Sequence, residues 1–281
     1  MSYISDFKSS AIGLFSQAFS ADPANSPITT NGTGIADPSL DSAVGQKFQT
    51  ADGRTIALVR NGAVALAAGV LVQAPAEVTA HQKLAMTVPT TYPATAGSTQ
   101  ILVTNGSTVL NVNVFAGGYV EVASGTGIGQ FLRIASHQPA ANGATFVVTL
   151  EDPIITTLDA TSKISLVANP CDGVIISPAS TATAGPVGVS LYPLAASTAA
   201  TFNATSGALT AAGVAQFGFI VTHGVASCLV DSTVTNVGYP LGVSKTTAGC
   251  VGVATLTTVP QIAVSMQTLT SANNGLISLY L

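Results

Sequence analysis

From Gly45 onward the polar and apolar positions alternate in short runs rich in Val, Ile, Thr and Phe. Turn signals break these runs every 8 to 12 residues or so, the spacing of a sandwich or barrel. The runs "TIALVRNG", "TQILVTNG", "TVLNVNVF", "ATFVVTLEDP" and "KISLVANP" each predict a strand. "ADGR" at Asp52-Gly53 and "RNGA" at Asn61-Gly62 predict tight turns. The first residues differ. Ile4, Phe7, Ala11, Leu14, Phe15, Ala18 and Phe19 recur at helical spacing, which predicts an amphipathic helix capped by Ser2 or Ser5. A stretch rich in Pro, Gly, Ser and Thr follows from Ala21 to about Val44 and reads as an extended arm. A tethered amphipathic helix cannot bury its own stripe. Ile4, Phe7, Leu14, Phe15 and Phe19 are therefore candidate contacts to a partner or to the body of the protein.

"GGYVEVASGTGIGQFLRI" poses a sharper question, because Gly125, Gly127 and Gly129 sit between two apolar runs. A phosphate cradle needs a helix N-terminus after the glycines and a G-x-G-x-x-G spacing. Here the spacing is G-x-G-x-G, and "QFLRI" alternates like a strand. The stretch predicts an antiparallel hairpin with a five-residue loop, Gly125 to Gly129, not a nucleotide site. The predicted register sets Glu121 opposite Arg133, Val120 opposite Ile134 and Val122 opposite Leu132.

The second half holds an internal echo. "PVGVSLYPL", "PLGVSKTT" and "CVGVATLT" share an apolar-Gly-Val core, while "QFGFIVTHG" and "NNGLISLYL" share Gly-apolar-Ile. The order repeats, which points to two related β units stacked in one domain rather than a solenoid.

Composition changes the picture more than any motif. Only 7% of the 281 residues are charged, although 47% are hydrophobic; roughly 25% charge is usual. From Ile164 to the end the only formal charges are Asp172, Asp231 and Lys245. A surface with few ions is cheap to desolvate, which suits a chain packed against other subunits. The net charge of −4 and the scattered eight Lys and Arg residues argue against nucleic-acid binding. No apolar run reaches the roughly 20 residues of a membrane span, and the sequence predicts no secretory signal.

Candidate chemistry is sparse. Glu151 and Asp152, with Asp159 nearby, form the nearest thing to an acid pair, but adjacent strand residues point to opposite faces. No G-x-S-x-G elbow accompanies the many serines. His81, His137 and His223 stand apart in sequence, and His223 reads as a turn or strand-edge residue. Cys171, Cys228 and Cys250 are widely spaced without a C-x-x-C, so free buried thiols are expected, as in a protein folded in a reducing cytosol. The sequons at Asn31, Asn105 and Asn203 matter only in a secreted protein. No metal site, cofactor, catalytic residue or small-molecule substrate is predicted.

"NGAVALAAGVLVQAPAE" resembles the opening of small all-β head-decoration, or cement, proteins of tailed bacteriophages. "GPVGVSL", "QFGFIVTHGVASCLVD" and "GCVGVATL" resemble their later strands. "AGGYVEVASGTGIGQFLRIASH" and "FVVTLEDPIITTLDATSKISLVANP" resemble a segment common in phage structural proteins. The resemblance covers most of the chain from about Gln46, and its glycine-valine motifs are of moderate specificity.

The resemblance implies an all-β fold. A discontinuous barrel- or sandwich-like β domain, 46–82 and 171–281, would hold an inserted second β domain, 83–170, behind the helix and arm of 1–45. It also implies a non-enzymatic protein on the outer capsid surface of a virion, made in the host cytoplasm. Such a protein is expected to be a homotrimer that clamps neighbouring subunits of the major capsid protein. The rivals are another virion part, such as a head fibre or tail protein, a carbohydrate-binding adhesin, which would need exposed aromatics, and a hydrolase.

Overall fold

The computed structural model describes residues 43–82, 86–90, 94–179, 182–254 and 260–281. The predicted N-terminal helix and most of the arm, with Ile4, Phe7, Leu14, Phe15 and Phe19, lie outside the described residues. Within them the protein is all-β, with eighteen strands. The chain divides into two compact units. One takes in the described residues up to Ala74, Cys171–Thr198 and Ala215–Leu281; the other takes Pro75–Pro170 and Ala199–Val214.

The first unit is a ten-stranded sheet. Its strands are β1 (Lys47–Gln49), β2 (Thr55–Asn61), β3 (Leu71–Gln73), β10 (Asp172–Ile176), β11 (Pro186–Ser190), β14 (Phe217–Leu229), β15 (Pro240–Val243), β16 (Val251–Val253), β17 (Ala263–Ser265) and β18 (Asn274–Tyr280). They run in the order β1-β2-β10-β3-β11-β14-β18-β17-β15-β16, and β2 also pairs with β14. That extra ladder closes β2, β10, β3, β11 and β14 into a ring.

The thirteen-residue β14 explains the layout. Phe217 to Thr222 are buried on both faces, because this half pairs with β2 and β11 inside the ring. A register shift between Val221 and His223 ends that regime. From His223 to Leu229 the strand pairs with β18, and burial alternates. Phe219 packs edge-on against Phe48 with ring centroids 6.1 Å apart. Arg60 and Asp172 are partners in the parallel β2–β10 ladder, and their side chains form an ion pair.

Both members of the internal echo lie in this one sheet: β11 beside β14, and β15 and β16 two to three strands from β18. Gly53 at φ +83° makes the expected turn between β1 and β2. Asn61-Gly62 ends β2 but makes no hairpin. The next strand, β3, pairs with β10 and β11 instead. The Asn61 side chain is committed elsewhere, donating to the carbonyls of Val64 and Ala195.

The second unit contains a closed barrel of β4 (Met86–Thr87), β5 (Gln100–Thr104), β8 (Thr145–Leu150), β7 (Phe131–His137), β6 (Tyr119–Ser124) and β9 (Lys163–Val167). Its core is built from alternate strand positions such as Ile101, Val103, Val120, Val122, Phe146 and Val148. A hairpin of β12 (Thr201–Phe202) and β13 (Leu209–Ala211) belongs to this unit, although the sequence reading leaves it with the first. The reason is backbone contact: the Val112 N–H donates to the Gly207 carbonyl, and a Cβ on Gly207 would lie 2.1 Å from the Leu110 carbonyl oxygen.

"TVLNVNVF" is not the strand its alternation predicts. Leu110 makes one isolated bridge to Ala140, and the chain then turns. Asn113 sits at φ +56°, a conformation that asparagine tolerates and a strand does not use.

Candidate interaction surfaces

The glycine-rich stretch forms the predicted hairpin in a different register. Tyr119 faces Arg133, Val120 faces Leu132 and Glu121 faces Phe131, so each β6 residue meets the partner two short of the expected one. Pairing by opposite charge was the wrong guide. Arg133 instead reaches Glu151 across the next strand, 3.2 Å away, and Tyr119 stacks on Phe131 with centroids 4.4 Å apart. A slip of two preserves the inward face, so hydrophobic alternation alone could not choose between the registers.

All three loop glycines have positive φ. Gly125 has no room for a side chain, since a Cβ would lie 2.0 Å from the Thr161 carbonyl oxygen. No helix follows the glycines; β7 does. The buried Gln130 staples this loop to the 154–157 segment. Its Nε2 donates to the carbonyls of Gly127 (3.2 Å) and Thr156 (3.0 Å). Its Oε1 accepts the N–H groups of Ile155 (2.9 Å) and Thr156 (3.0 Å). Nearby, Asp159 accepts hydrogen bonds from the hydroxyls of Thr126 (2.7 Å) and Thr161 (2.6 Å). The Thr161 hydroxyl first, then that of Thr126, holds the Asp159 pKa below the usual carboxylate range. The outcome is a rigid tip that leaves Ile128 66% and Ile155 75% exposed, with Phe131 56% exposed beside them.

A second apolar surface lies on the outer half of β14 and its neighbours. Cross-strand partners His223–Tyr280, Val225–Ser278 and Ser227–Leu276 share one face. Val264, opposite Ser278, and Pro240, opposite Val264, continue it. Val225, Leu276, Tyr280 and the following Met266 are exposed. None of these residues is a carboxylate, a lysine or an arginine.

Among the described residues, the chemistry-bearing side chains do not converge on a catalytic arrangement. Glu151 is spent on Arg133, and Asp152 is exposed. His223 is at an exposed strand position with its ring 6.2 Å from that of Tyr280. Partial burial acts to raise the Asp231 pKa, but hydrogen bonds from Ser232, Ser244 and Thr246 outweigh it and hold the carboxyl ionised. The three cysteines are free and buried, and burial pushes the Cys228 thiol up to about 12, which leaves it unreactive. Among the described residues, no three His, Cys, Asp or Glu side chains gather as metal ligands, and no helix is long and apolar enough to cross a membrane.

His81 and His137, far apart in sequence, meet inside the second unit. Both flank Phe115, with centroids 5.7 and 6.0 Å from it. The His137 Nε2 accepts the Phe115 N–H (3.1 Å), which places its proton on Nδ1, directed at the Gln138 carbonyl (3.0 Å). The His137 N–H donates to the Asn113 Oδ1 (2.8 Å). His137 therefore pins the turn that replaces the expected strand. Burial lowers the pKa of both imidazoles. No sequence signal marks this pair, because it depends on strands brought together by barrel closure.

No family model matches the chain, and no curated protein or solved structure matches it.

Proposed function

We propose that this chain is a non-enzymatic structural protein of a virion, which decorates the outer surface of an assembled bacteriophage capsid. It stabilises the shell by bridging neighbouring subunits of the major capsid protein, and it associates with copies of itself, as a trimer in the leading form of this reading. The observation that carries the reading is the apolar sheet face of β14, β18 and β17, which lacks formal charge and is left open to contact. It agrees with the charge-poor composition and with the resemblance to head-decoration proteins.

A protein that binds only the assembled lattice stabilises it by mass action. Many copies multiply modest contacts. The segment before Val44 would extend the contact to a neighbour, because loop-closure entropy grows only slowly with tether length.

Side-chain-resolution cryo-microscopy of purified particles tests the proposal. Hundreds of copies on the shell surface support it. A few copies at a tail or fibre assign the chain to another virion part, and absence from the particle overturns it. The exposed Phe131, stacked on a half-buried Tyr119, favours a second reading, a carbohydrate-binding adhesin. Strong hits on a glycan array that are lost in Phe131→Ala would establish that alternative.

A further inference from the structure

We propose that His81 is a proton-operated plug. Its ring seats residues 75–82 on the core of the second unit, and acid releases that segment in a local opening that leaves the barrel strands paired. The device lies within the second unit, so it stands apart from whatever the chain attaches to.

The ring is an anomaly. His81 is 4% exposed, yet neither its Nδ1 nor its Nε2 makes a hydrogen bond. Buried polar atoms are nearly always paired, and an orphan calls for a reason. The ring packs edge-on against Phe115, with centroids 5.7 Å apart. The Thr108 carbonyl lies near enough to favour the charged form, but it only partly opposes the effect of burial. His137, on the same Phe115, has both ring nitrogens engaged. Of the two imidazoles, His81 is the one seated by packing without a ring hydrogen bond.

The chain around it is built to come away. His81 is the one buried side chain of 75–82, and Ala76, Glu77, Val78 and Thr79 are exposed. Three hydrogen bonds are internal to the segment and travel with it. The His81 N–H donates to the Val78 carbonyl (2.9 Å), the Gln82 N–H to the Thr79 carbonyl (3.4 Å) and the Val78 N–H to the Gln82 Oε1 (2.6 Å). A tie to the barrel runs through the His81 carbonyl, which accepts the Leu166 N–H of β9 (2.8 Å). Segments with few buried contacts open at the lowest free energy.

Protonation makes both ring nitrogens donors in an apolar slot, where the Thr108 carbonyl can serve at most one of them. In water both are satisfied. No carboxylate compensates the charge in place: Glu77, on the segment itself, is exposed and does not shift the ring. Lys163 on β9 and Arg133 on β7 are cations. His137 is the titratable group that shares the surroundings, and it gains nothing from a charged His81. The seated ring therefore resists its proton, while the released ring regains the ordinary affinity near pH 6.5. The plug is fully favoured above that pH. As pH falls from 7.5 to 5.5, one proton raises the open fraction up to about tenfold. Release uncovers the Phe115 ring, which is otherwise buried.

Amide hydrogen exchange on the full-length protein tests this, read as protection factors so that the intrinsic pH dependence of exchange is removed. The Leu166 amide should lose about tenfold in protection between pH 7.5 and 5.5. Its opening should be insensitive to low urea, because a local event exposes little surface. Amides of the β5–β8 ladder should exchange only through urea-dependent unfolding. His81→Leu, which fills the slot and cannot take a proton, should hold Leu166 protection level across the range. His137→Gln should leave the Leu166 response in place.

Leu166 protection that stays constant in wild type overturns the proposal, and so does a loss that requires urea-dependent opening of the whole barrel. A His81→Leu chain that keeps the response, or a His137→Gln chain that abolishes it, moves the trigger off His81 and overturns it as well. If His81→Leu does not fold, the wild-type imidazole titration followed by NMR decides. The His81 ring must take up its proton over the pH range in which Leu166 opens. A protonated His81 with Leu166 still protected means that the charged ring stays seated, against the proposal.

Discussion

The buried imidazoles of His81 and His137 make the stability of the second unit dependent on pH in a defined direction. Both have their pKa lowered, chiefly by burial, and a charge on His81 lowers that of His137 further. The unfolded chain therefore binds protons first. Above the ordinary histidine pKa, near 6.5, the full stability is present. As pH falls from there toward the depressed folded values, protonation favours the unfolded state, and stability declines. The largest slope is about 1.4 kcal/mol per pH unit for one group and about 2.7 for both together.

The structural cost at His137 is specific. A proton on Nε2 turns the acceptor of the Phe115 N–H into a donor, which breaks that bond, although the His137 main-chain N–H still holds Asn113. Urea unfolding followed by circular dichroism between pH 7 and 5, with hydrogen exchange reporting on barrel amides, measures the slope. His137→Gln, which retains an acceptor but cannot titrate, should remove roughly half of it. Adding His81→Leu should remove most of the rest. The reasoning is refuted if wild type shows no loss of barrel stability between pH 6.5 and 5, or if the double variant loses as much as wild type does.

Other expectations follow from the same geometry. Gly125→Ala should cost about 2–4 kcal/mol, because strained φ is joined by a backbone clash. Gly129→Ala shares the positive φ but has open space around the added methyl, so it should cost only about 1–2 kcal/mol; equal costs measured by thermal melting would contradict the clash. Gln130→Ala should destabilise the barrel by about 1.5–4.5 kcal/mol, since it strands the Thr156 carbonyl and the Ile155 and Thr156 N–H groups at about 0.5–1.5 kcal/mol each, and should speed hydrogen exchange at Ile155 and Thr156. Phe219→Ala, at a buried ring packed on Phe48 in the core of the first unit, should cost about 3–5 kcal/mol in urea denaturation. Deleting residues 1–44 should weaken attachment to capsids in a sedimentation assay, and unchanged attachment would remove that segment from the mechanism.

The sequence by itself determined the all-β class, because a period of two forces one face of each short run inward wherever the runs pair. β2, β5, β8 and β9 all fall within predicted runs. It also determined that the glycine loop turns a corner, since no helix-forming sequence follows it, and that the thiols are buried and unpaired. It could not determine which strand lies beside which. Side-chain alternation is blind to a slip of two, so the β6–β7 register had to come from the stacking of Tyr119 on Phe131 and the reach of Arg133 to Glu151.

Nor could alternation reveal that "TVLNVNVF" is folded into a turn, because the groups that hold it there are on His137, more than twenty residues on. The Gln130 staple, the histidine pair and the open face of β14 are likewise products of closure: each depends on contacts between segments remote in sequence. Local pattern fixes which side of a strand is apolar. Only the tertiary ladder decides whether that side meets the core, a neighbour or water.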